Sequence, residues 1–172
     1  MINIKNIEDF SSQKIKKFEE ILKEVNKSKK EGKRIGLCVG GYDLLHPGHM
    51  KHLSSAKKYC DILIVAITAD KFNSIRKGSG RPIYPEQLRA FSVSQLESVN
   101  LVFISNHSGA LEVIQSIKPD FYIKGPDYIK KETPGITLER QAIASIGGEI
   151  KYTKDEKLFT TEIIGHIKNC EK

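Results

Sequence analysis

The sequence predicts an α/β protein in which helices cover both faces of a five-stranded parallel sheet. Short apolar runs, typical of strands buried on both faces, alternate with amphipathic helical patterns along most of the 172 residues. No internal repeat or low-complexity linker interrupts this alternation, and the length suits one domain. Because alternating strands and helices build parallel sheets through right-handed crossovers, the pattern indicates a doubly wound fold.

The order of the elements follows from these patterns. Apolar runs predict strands at 35–39, 61–67, 101–104, 121–123 and 149–152. Helical spacing predicts one helix directly after His49 and further helices at about 85–98, 110–117, 137–146 and 160–167. The stretch between the second strand and Pro85 is interpreted as loop, with a basic, glycine-containing part at 76–82.

An additional amphipathic helix is predicted before the first strand, over about residues 12–30. Its apolar residues recur at three- and four-residue steps, while lysine and glutamate fill the other faces. Such a mixed charged face is typical of a solvated surface. We therefore expect residues 1–33 to form a helical extension, packed on the domain or on a second subunit, and residues 34–172 to form the main domain.

The composition favours anionic partners. The formal charge is +7 and the sequence pI is about 9.2, which fits nucleotides and sugar phosphates, nucleic acid, or simply a lysine-rich soluble surface. No zinc or RNA-binding motif supports nucleic acid, so we expect no nucleic-acid partner. Cys38, Cys60 and Cys170 are far apart and form no CxxC, which indicates reduced thiols rather than disulfides or zinc ligands. With no long apolar run and no signal-peptide core, a cytoplasmic protein without a membrane partner is expected.

The most informative stretch is residues 35–49, IGLCVGGYDLLHPGH. It predicts a buried strand that ends at two glycines, followed by a loop and a helix with Pro47 in its first turn. His46 and His49 then lie at the helix N-terminus, where free N–H groups and the helix dipole attract anions. Gly48 lets the chain approach a bound nucleotide closely. Metal ligation is less favoured, because no Cys or carboxylate accompanies the histidines at a familiar spacing.

Three more loops follow predicted strands or precede the last helix, and parallel sheets gather such loops at one edge. The basic loop at 76–82 suits a polyphosphate or sugar phosphate, or is an exposed flexible loop. The segment 124–128 follows the fourth strand. Thr160 and Thr161 either cap the last helix or hold a phosphate. We expect these loops and the histidine segment to form one site.

These segments resemble a known superfamily. GYDLLHPGH is similar to the His-x-Gly-His signature of the cytidylyltransferase-like nucleotidyltransferases. RKGSGRPIYPEQLR, IKPDFYIKGPDY and TTEII resemble the adenylyltransferase domain of bifunctional ADP-heptose synthases, over about residues 34–168. The glycerol-3-phosphate cytidylyltransferases share the histidine motif and a segment like ITADKFN, but they lack the Arg-Pro element. The resemblance implies a Rossmann-like fold of the HUP-type nucleotidyltransferases.

The resemblance also implies a reaction and roles. A nucleoside triphosphate, preferably ATP, would react with a sugar 1-phosphate, preferably a heptose phosphate, with Mg²⁺ carried by the nucleotide and no metal site in the protein. A homodimer that makes precursors of lipopolysaccharide or capsule is expected. Catalysis is assigned to His46, His49 and Lys77. Nucleotide binding is assigned to Gly40, Gly41, Tyr42, Asp43, Gly48, Lys124, Gly125, Asp127, Thr160 and Thr161. Substrate binding is assigned to Asp70, Arg76, Arg81 and Arg89.

The chain departs from the family pattern at three places. Leu158 and Phe159 stand where Gly and Ser usually precede the paired threonines, and Pro126 replaces a glycine. Lys154 stands near the position of a cytidylyltransferase arginine, whose bidentate fork a lysine lacks. These differences leave two alternatives open: a CTP-dependent transferase acting on glycerol 3-phosphate or another sugar or polyol phosphate, and a catalytically silent nucleotide-binding protein.

Overall fold

The computed structural model describes residues 2, 4–77, 80–156 and 158–170, without the side chains of residues 76 and 77. Five strands form one sheet in which every pairing is parallel, in the order β3-β2-β1-β4-β5. The strands are β1 (Ile35–Gly40), β2 (Ile62–Thr68), β3 (Leu101–Ser105), β4 (Phe121–Lys124) and β5 (Glu149–Tyr152). The predicted doubly wound α/β fold is thus confirmed.

Seven α-helices accompany the strands in the described part of the chain. They are α1 (Phe18–Lys30), α2 (Pro47–Lys57), α3 (Asp70–Lys77), α4 (Glu86–Ser94), α5 (Leu111–Ile117), α6 (Pro134–Ser145) and α7 (Thr160–Cys170). Short 3-10 turns occur at Ile7–Asp9 and Pro126–Tyr128.

Helix α3 corrects the sequence interpretation, which expected a loop over residues 70–77. The helix has only two turns, and Ile75 is 81% exposed, so no apolar stripe marks it in the sequence. Helix α1 also begins at Phe18 rather than near residue 12, and α4 ends at Ser94 rather than at 98.

The helices bury apolar side chains on both faces of the sheet. Helices α1, α5 and α6 cover one face, where Ile21, Ile114 and Ile143 are almost fully buried. Helices α2 and α4 cover the other face with side chains such as Leu53 and Val93. Because β1 and β2 are covered on both sides, their residues are apolar without alternation, which is why the sequence predicted them clearly.

The N-terminal segment is part of this packing. Lys16 N–H donates to the Val102 carbonyl at 2.9 Å, and Val102 N–H donates to the Lys14 carbonyl at 2.8 Å, so the chain pairs in parallel with the outer edge of β3. Ile21 and Val25 of α1 then enter the main core. Of the two expected placements, the structure shows α1 packed on the domain.

The sheet order defines where a ligand can enter. From β1 the chain crosses through α2 to β2 on one side, and after β3 it returns through α5 to β4 on the other side. The connections that leave β1 and β4 therefore diverge, and a crevice forms beyond the carboxyl ends of these two strands. Among the described residues, no helix combines the length and apolar character needed to cross a lipid bilayer.

Candidate active site

A cavity of about 420 Å³ lies at this crevice. Its walls come from the end of β1, the start of α2, the segment after β4 and the segment before α7. Three of the expected segments, far apart in sequence, therefore meet here: the histidine segment, the segment after β4 and the segment before α7. The cavity brings together eleven of the expected site residues, namely Gly40, Gly41, Tyr42, His46, Gly48, His49, Lys124, Gly125, Asp127, Thr160 and Thr161. Their individual roles stay predictions.

The two histidines of the motif form one unit at the start of α2. His46 is the N-cap residue, with extended backbone angles, and Pro47 follows in the first turn. The imidazole rings of His46 and His49 stack with centroids 3.8 Å apart, and the Tyr42 ring lies 5.4 Å from that of His49. Both rings line the cavity at the positive end of the helix. This arrangement places two imidazole rings in the cavity wall beside the N–H groups of the helix start.

Gly48 explains why the motif needs glycine between the histidines. A Cβ at this position would lie 3.1 Å from two atoms of the His46 ring and 3.1 Å from Cβ of Leu158. Those contacts are tighter than ordinary packing, so a side chain would push α2 away from the loop before α7. The glycine therefore lets these two cavity walls approach each other.

A third histidine, His52, also lines the cavity and was missed in the sequence. Its Nδ1 lies 2.9 Å from the Thr153 hydroxyl, and its Nε2 lies 3.8 Å from Sγ of Cys38. Burial raises the pKa of the Cys38 thiol well above its usual range, so this sulfur is a neutral neighbour. The three-residue spacing from His49 to His52 places both on one helix face, a signal that could have identified it.

On the β4 side of the cavity, Lys124 is held by a buried network. Its ammonium lies 2.6 Å from the Glu139 carboxylate and 3.0 Å from the Tyr122 hydroxyl. It also lies 4.1 Å from the centroid of the Tyr128 ring, a cation–π distance. Burial, followed by the charge of Glu139, raises the pKa of Tyr122 well above its usual range. Glu139 lies within α6, where sequence position alone gave no sign of a link to the site.

The start of α7 forms the wall that faces β1. The hydroxyl of Thr160 donates to the Asp43 carbonyl at 3.3 Å, which ties this helix to the loop after β1. Glu162 accepts a hydrogen bond from the Phe159 N–H at 3.3 Å and so caps the helix start. Thr161 and Phe159 line the cavity, and Phe159 is 45% exposed. The aromatic ring thus stands where the family pattern has a serine.

Asp43 was expected to bind the nucleotide, and in the structure its carboxylate lies in a buried ion pair. The Asp43 side chain is fully buried and accepts from Nε of Arg81 at 2.8 Å. It also accepts hydrogen bonds from the N–H groups of Ile83 and Tyr84. Neither Asp43 nor Arg81 lines the cavity. The pair therefore anchors the segment before α4 to the loop after β1, and the ligand contacts expected of both residues stay predictions.

Arg89 and Asp70 were expected to bind substrate and likewise pair with each other. The Arg89 side chain is completely buried and donates to Asp70 Oδ1 at 2.8 Å. Its other donors reach the carbonyls of Gly41, Thr68 and Tyr84. Neither residue lines the cavity, and their contacts position its walls; their expected role in substrate binding stays a prediction. The sequence reveals the charges of these side chains but not their burial.

The remaining predicted cations, Arg76 and Lys77, have side chains outside the described part of the structure. Further polar residues reach the cavity without having been predicted, among them Asn73 and Asp155. Asn73 of α3 is 3% exposed. Asp155 accepts a hydrogen bond from the Ser55 hydroxyl at 2.8 Å.

The groups around the cavity suit phosphate oxygens. Imidazoles, an ammonium, the Thr161 hydroxyl and helix N-termini converge there, and groups of these kinds bind anions. Within the described residues, no three His, Cys, Asp or Glu side chains come together as a metal-ligand set.

Comparison with known proteins agrees with this geometry. The family model described as cytidylyltransferase-like matches residues 37–165. Several curated relatives carry the name bifunctional protein HldE. Those of Nitratiruptor sp. and Aliarcobacter butzleri are 37% and 38% identical over 91% and 94% of this chain. That of Rhodopseudomonas palustris strain BisA53 is 40% identical over 70% of the chain. The chain spans about a third or less of the length of these relatives: 32%, 33% and 24%.

Solved structures show the same fold. The lipopolysaccharide core biosynthesis protein from Thermoplasma volcanium has a TM-score of 0.58 and 25% identity, over 74% of this chain and 100% of the other. Pantoate-beta-alanine ligase from Francisella tularensis, complexed with beta-gamma ATP and beta-alanine, has a TM-score of 0.61 over 94% of this chain and 79% of the other. At 19% identity, the latter supports the fold alone.

The family match includes the strand, both histidines, the segment after β4 and the paired threonines, and it covers most of the chain. The relatives named HldE match the same region and extend beyond it. The enzyme class expected from the motif is thereby confirmed. This chain belongs to the cytidylyltransferase-like family of nucleotidyltransferases.

Proposed function

We propose that the chain transfers an adenylyl group from ATP to a heptose 1-phosphate and releases pyrophosphate, in the synthesis of a surface polysaccharide precursor. The observation that carries the proposal is the stacked pair His46 and His49 at the N-terminus of α2, inside a cavity shared with the segments before α7 and after β4. The likeness of residues 34–168 to the adenylyltransferase domain of ADP-heptose synthases favours the heptose. One structural neighbour is a lipopolysaccharide core biosynthesis protein, which fits the same class of pathway.

The chemistry requires no covalent intermediate on the enzyme. A phosphate oxygen of the sugar attacks the α-phosphorus in line, and the bond to the bridging oxygen breaks as pyrophosphate leaves. His46 and His49 donate to the non-bridging oxygens, where negative charge must be stabilised in the transition state. Because the two substrates are anions, holding them together in the attack geometry accounts for much of the remaining acceleration.

The nucleotide takes the side of the cavity between β4 and α7. Lys124 and Asp127 lie near the nucleoside, while Thr160, Thr161 and the N-terminus of α7 hold the β- and γ-phosphates. Lys77 and Arg76 neutralise further phosphate charge in this proposal.

Magnesium enters with the triphosphate, whose charge it neutralises. Asp155 and Glu156 line the cavity and would supply the one or two carboxylates that Mg²⁺ accepts beside phosphate oxygens and water. These residues therefore fit a nucleotide-borne ion.

We also propose that the protein is a cytoplasmic homodimer. Size-exclusion chromatography with light scattering tests whether it forms a dimer.

The proposal is tested by pyrophosphate release with magnesium, crossing ATP, CTP, GTP and UTP against a panel of sugar and polyol phosphates that includes heptose 1-phosphates. Turnover with ATP and a heptose 1-phosphate is expected, at a rate well above every other pair. A preference for another nucleotide or acceptor would refute this substrate assignment while keeping the reaction type.

A second candidate, a cytidylyltransferase acting on glycerol 3-phosphate, is favoured by one observation. The segment 67–73, which resembles that family, places Asn73 in the cavity wall. Turnover restricted to CTP and glycerol 3-phosphate in the same panel would support this second candidate.

A third candidate, a catalytically silent nucleotide-binding protein, is favoured by Phe159 in the cavity wall. Such a protein would bind nucleotide without releasing pyrophosphate.

A further inference from the structure

The side-chain amide of Asn73 is a buried donor that faces the cavity. The residue is 3% exposed, it lines the cavity, and its Nδ2 has no hydrogen-bond acceptor among the described residues. A buried polar group without a partner normally costs free energy and is uncommon in native proteins. Such a donor beside a cavity is explained when a ligand supplies the missing acceptor.

The amide is held against the loop after β1. A Cβ at Gly41 would lie 2.8 Å from Nδ2 and 2.9 Å from Oδ1 of Asn73, so the absence of a side chain at Gly41 makes room for the carboxamide. The backbone N–H of Asn73 donates to the Ala69 carbonyl at 3.1 Å, within the first turn of α3. The carboxamide is therefore placed by two neighbouring elements rather than by an exposed loop.

Arg89 fixes these two elements relative to each other. Its buried guanidinium donates both to the Gly41 carbonyl and to Asp70, the first residue of α3. Asp70 is held further by Glu86, through one hydrogen bond in each direction at 2.7 and 3.1 Å. The distance between the glycine loop and Asn73 is thus set before any ligand binds, which is the condition for a preorganised subsite.

The position of Asn73 in the sheet order separates it from the nucleotide side. Helix α3 follows β2, whereas Lys124, Asp127 and the rest of the proposed nucleoside site follow β4, on the opposite side of β1. We propose that Asn73, lying over Gly41, is a specificity-determining residue that donates a hydrogen bond to the phosphate of the acceptor sugar phosphate. This proposal rests on the proposed function and names the half of the cavity that the acceptor occupies.

The kinetic test compares the wild type with Asn73→Ala. The variant loses a hydrogen bond from the neutral amide to the charged phosphate, and this loss is expected to raise KM for the sugar phosphate about tenfold. The dissociation constant of the magnesium nucleotide, measured by calorimetry, should stay within about twofold of the wild type, since Asn73 makes no contact with it. A weaker nucleotide affinity with an unchanged KM for the sugar phosphate would overturn the proposal.

Asn73→Asp sharpens the test. It keeps the shape of the side chain but replaces the donor by a negative charge, so KM for the sugar phosphate should rise further than in Asn73→Ala. An equal or smaller rise would show that no anion lies beside this residue.

Stability provides a readout that does not depend on activity. Asn100 also carries a carboxamide, and its oxygen accepts from Leu63 N–H at 2.8 Å and from the Lys57 ammonium at 2.7 Å. Asn100→Ala should lower the urea midpoint of unfolding clearly, while Asn73→Ala should leave it nearly unchanged because no internal hydrogen bond of its amide nitrogen is lost. An equal loss in both variants would make Asn73 structural and refute the proposal.

If the wild type turns over no sugar phosphate, the proposed function fails and a binding experiment decides on Asn73 alone. Inorganic phosphate is then titrated into the protein saturated with a non-hydrolysable ATP analogue. Phosphate binding that weakens severalfold in Asn73→Ala supports the phosphate subsite. Equal phosphate binding by both proteins, or none by the wild type, overturns it.

Discussion

The carboxylate of Asp43 accepts a hydrogen bond from Nε of Arg81 at 2.8 Å, and the Asp43 side chain has no exposed surface. The same carboxylate accepts from two backbone N–H groups, those of Ile83 and Tyr84. These contacts join the loop after β1 to the segment before α4, across about forty residues of sequence. The cavity wall around Gly41 therefore depends on a buried ion pair that is itself outside the cavity.

Replacing Asp43 by alanine should destabilise the fold strongly. The variant leaves the Arg81 guanidinium and two backbone donors without their acceptor, and breaking one side of a buried pair typically costs about 3–5 kcal/mol. Urea unfolding followed by circular dichroism measures this loss. Glu31→Gln, which breaks the exposed pair with Lys33, is the control and should move the midpoint far less. Similar shifts in both variants would contradict the assigned role of Asp43.

The charges of the site illustrate what the sequence can and cannot predict. Histidines at a helix start and paired threonines at another were identified because backbone geometry alone brings such positions to the edge of a sheet. Asp43 and Arg89 belong to equally polar segments, yet their side chains are buried in contacts with residues tens of positions away. Long-range pairing of this kind leaves no local pattern, so the sequence predicted ligand contacts for both residues but not the buried contacts by which they support the walls.

His49→Ala tests the chemistry. Loss of one preorganised donor to the transition state should reduce turnover by roughly 10²-fold or more. The melting temperature should change little, since His49 is only partly buried at the cavity surface. His166→Ala, on the exposed part of α7, is the matched control and should keep full activity. A correctly folded His49→Ala enzyme with a near-normal rate would remove this histidine from the mechanism.

Alkaline pH should destabilise the protein through Cys60. Burial raises the pKa of the Cys60 thiol from 9.0 to about 11. Between these values the unfolded chain has lost the proton and the folded chain has kept it, so the stability present below pH 9 is lost as pH rises through about 11. The loss is at most about 3 kcal/mol, at about 1.4 kcal/mol for each pKa unit.

Urea unfolding at pH 8 and pH 10.5 measures this loss. Cys60→Ala should show a shallower decline between the two pH values than the wild type, whereas Cys170→Ala, at an exposed position in α7, should decline like the wild type. A decline in Cys60→Ala as steep as that of the wild type would show that this thiol does not contribute.

Phe159→Ser tests the departure from the family pattern at the start of α7. Phe159 lines the cavity next to Thr160, and serine would add a hydroxyl where the triphosphate is proposed to bind. The KM for the nucleotide should fall by about tenfold, the value of one added hydrogen bond to a charged group. Leu158→Ser, at the neighbouring cavity residue, is the control. An equal fall in KM in that variant would show that a more polar cavity wall, rather than a hydroxyl at position 159, causes the change.

The fold was more predictable than the walls of the cavity. Strands β1 and β2 are covered on both faces, so their apolar runs were unmistakable in the sequence. Helix α3 is short and mostly exposed, and it was expected to be a loop. Asn73 was missed because its burial results from the approach of α3 to Gly41, which no periodicity in the sequence reveals.

Nucleotidyl transfer is tested most directly by following radioactive phosphate from labelled ATP in the reaction with magnesium and a sugar 1-phosphate. ATP labelled with ³²P at the α-phosphate and ATP labelled at the γ-phosphate are supplied in separate reactions. The α-label should appear in a sugar nucleotide and the γ-label in pyrophosphate, with neither product formed when His46 and His49 are both replaced by alanine. Transfer of the γ-label to the sugar, or tight ATP binding with no α-label transferred to any acceptor, would contradict attack at the α-phosphorus in this cavity.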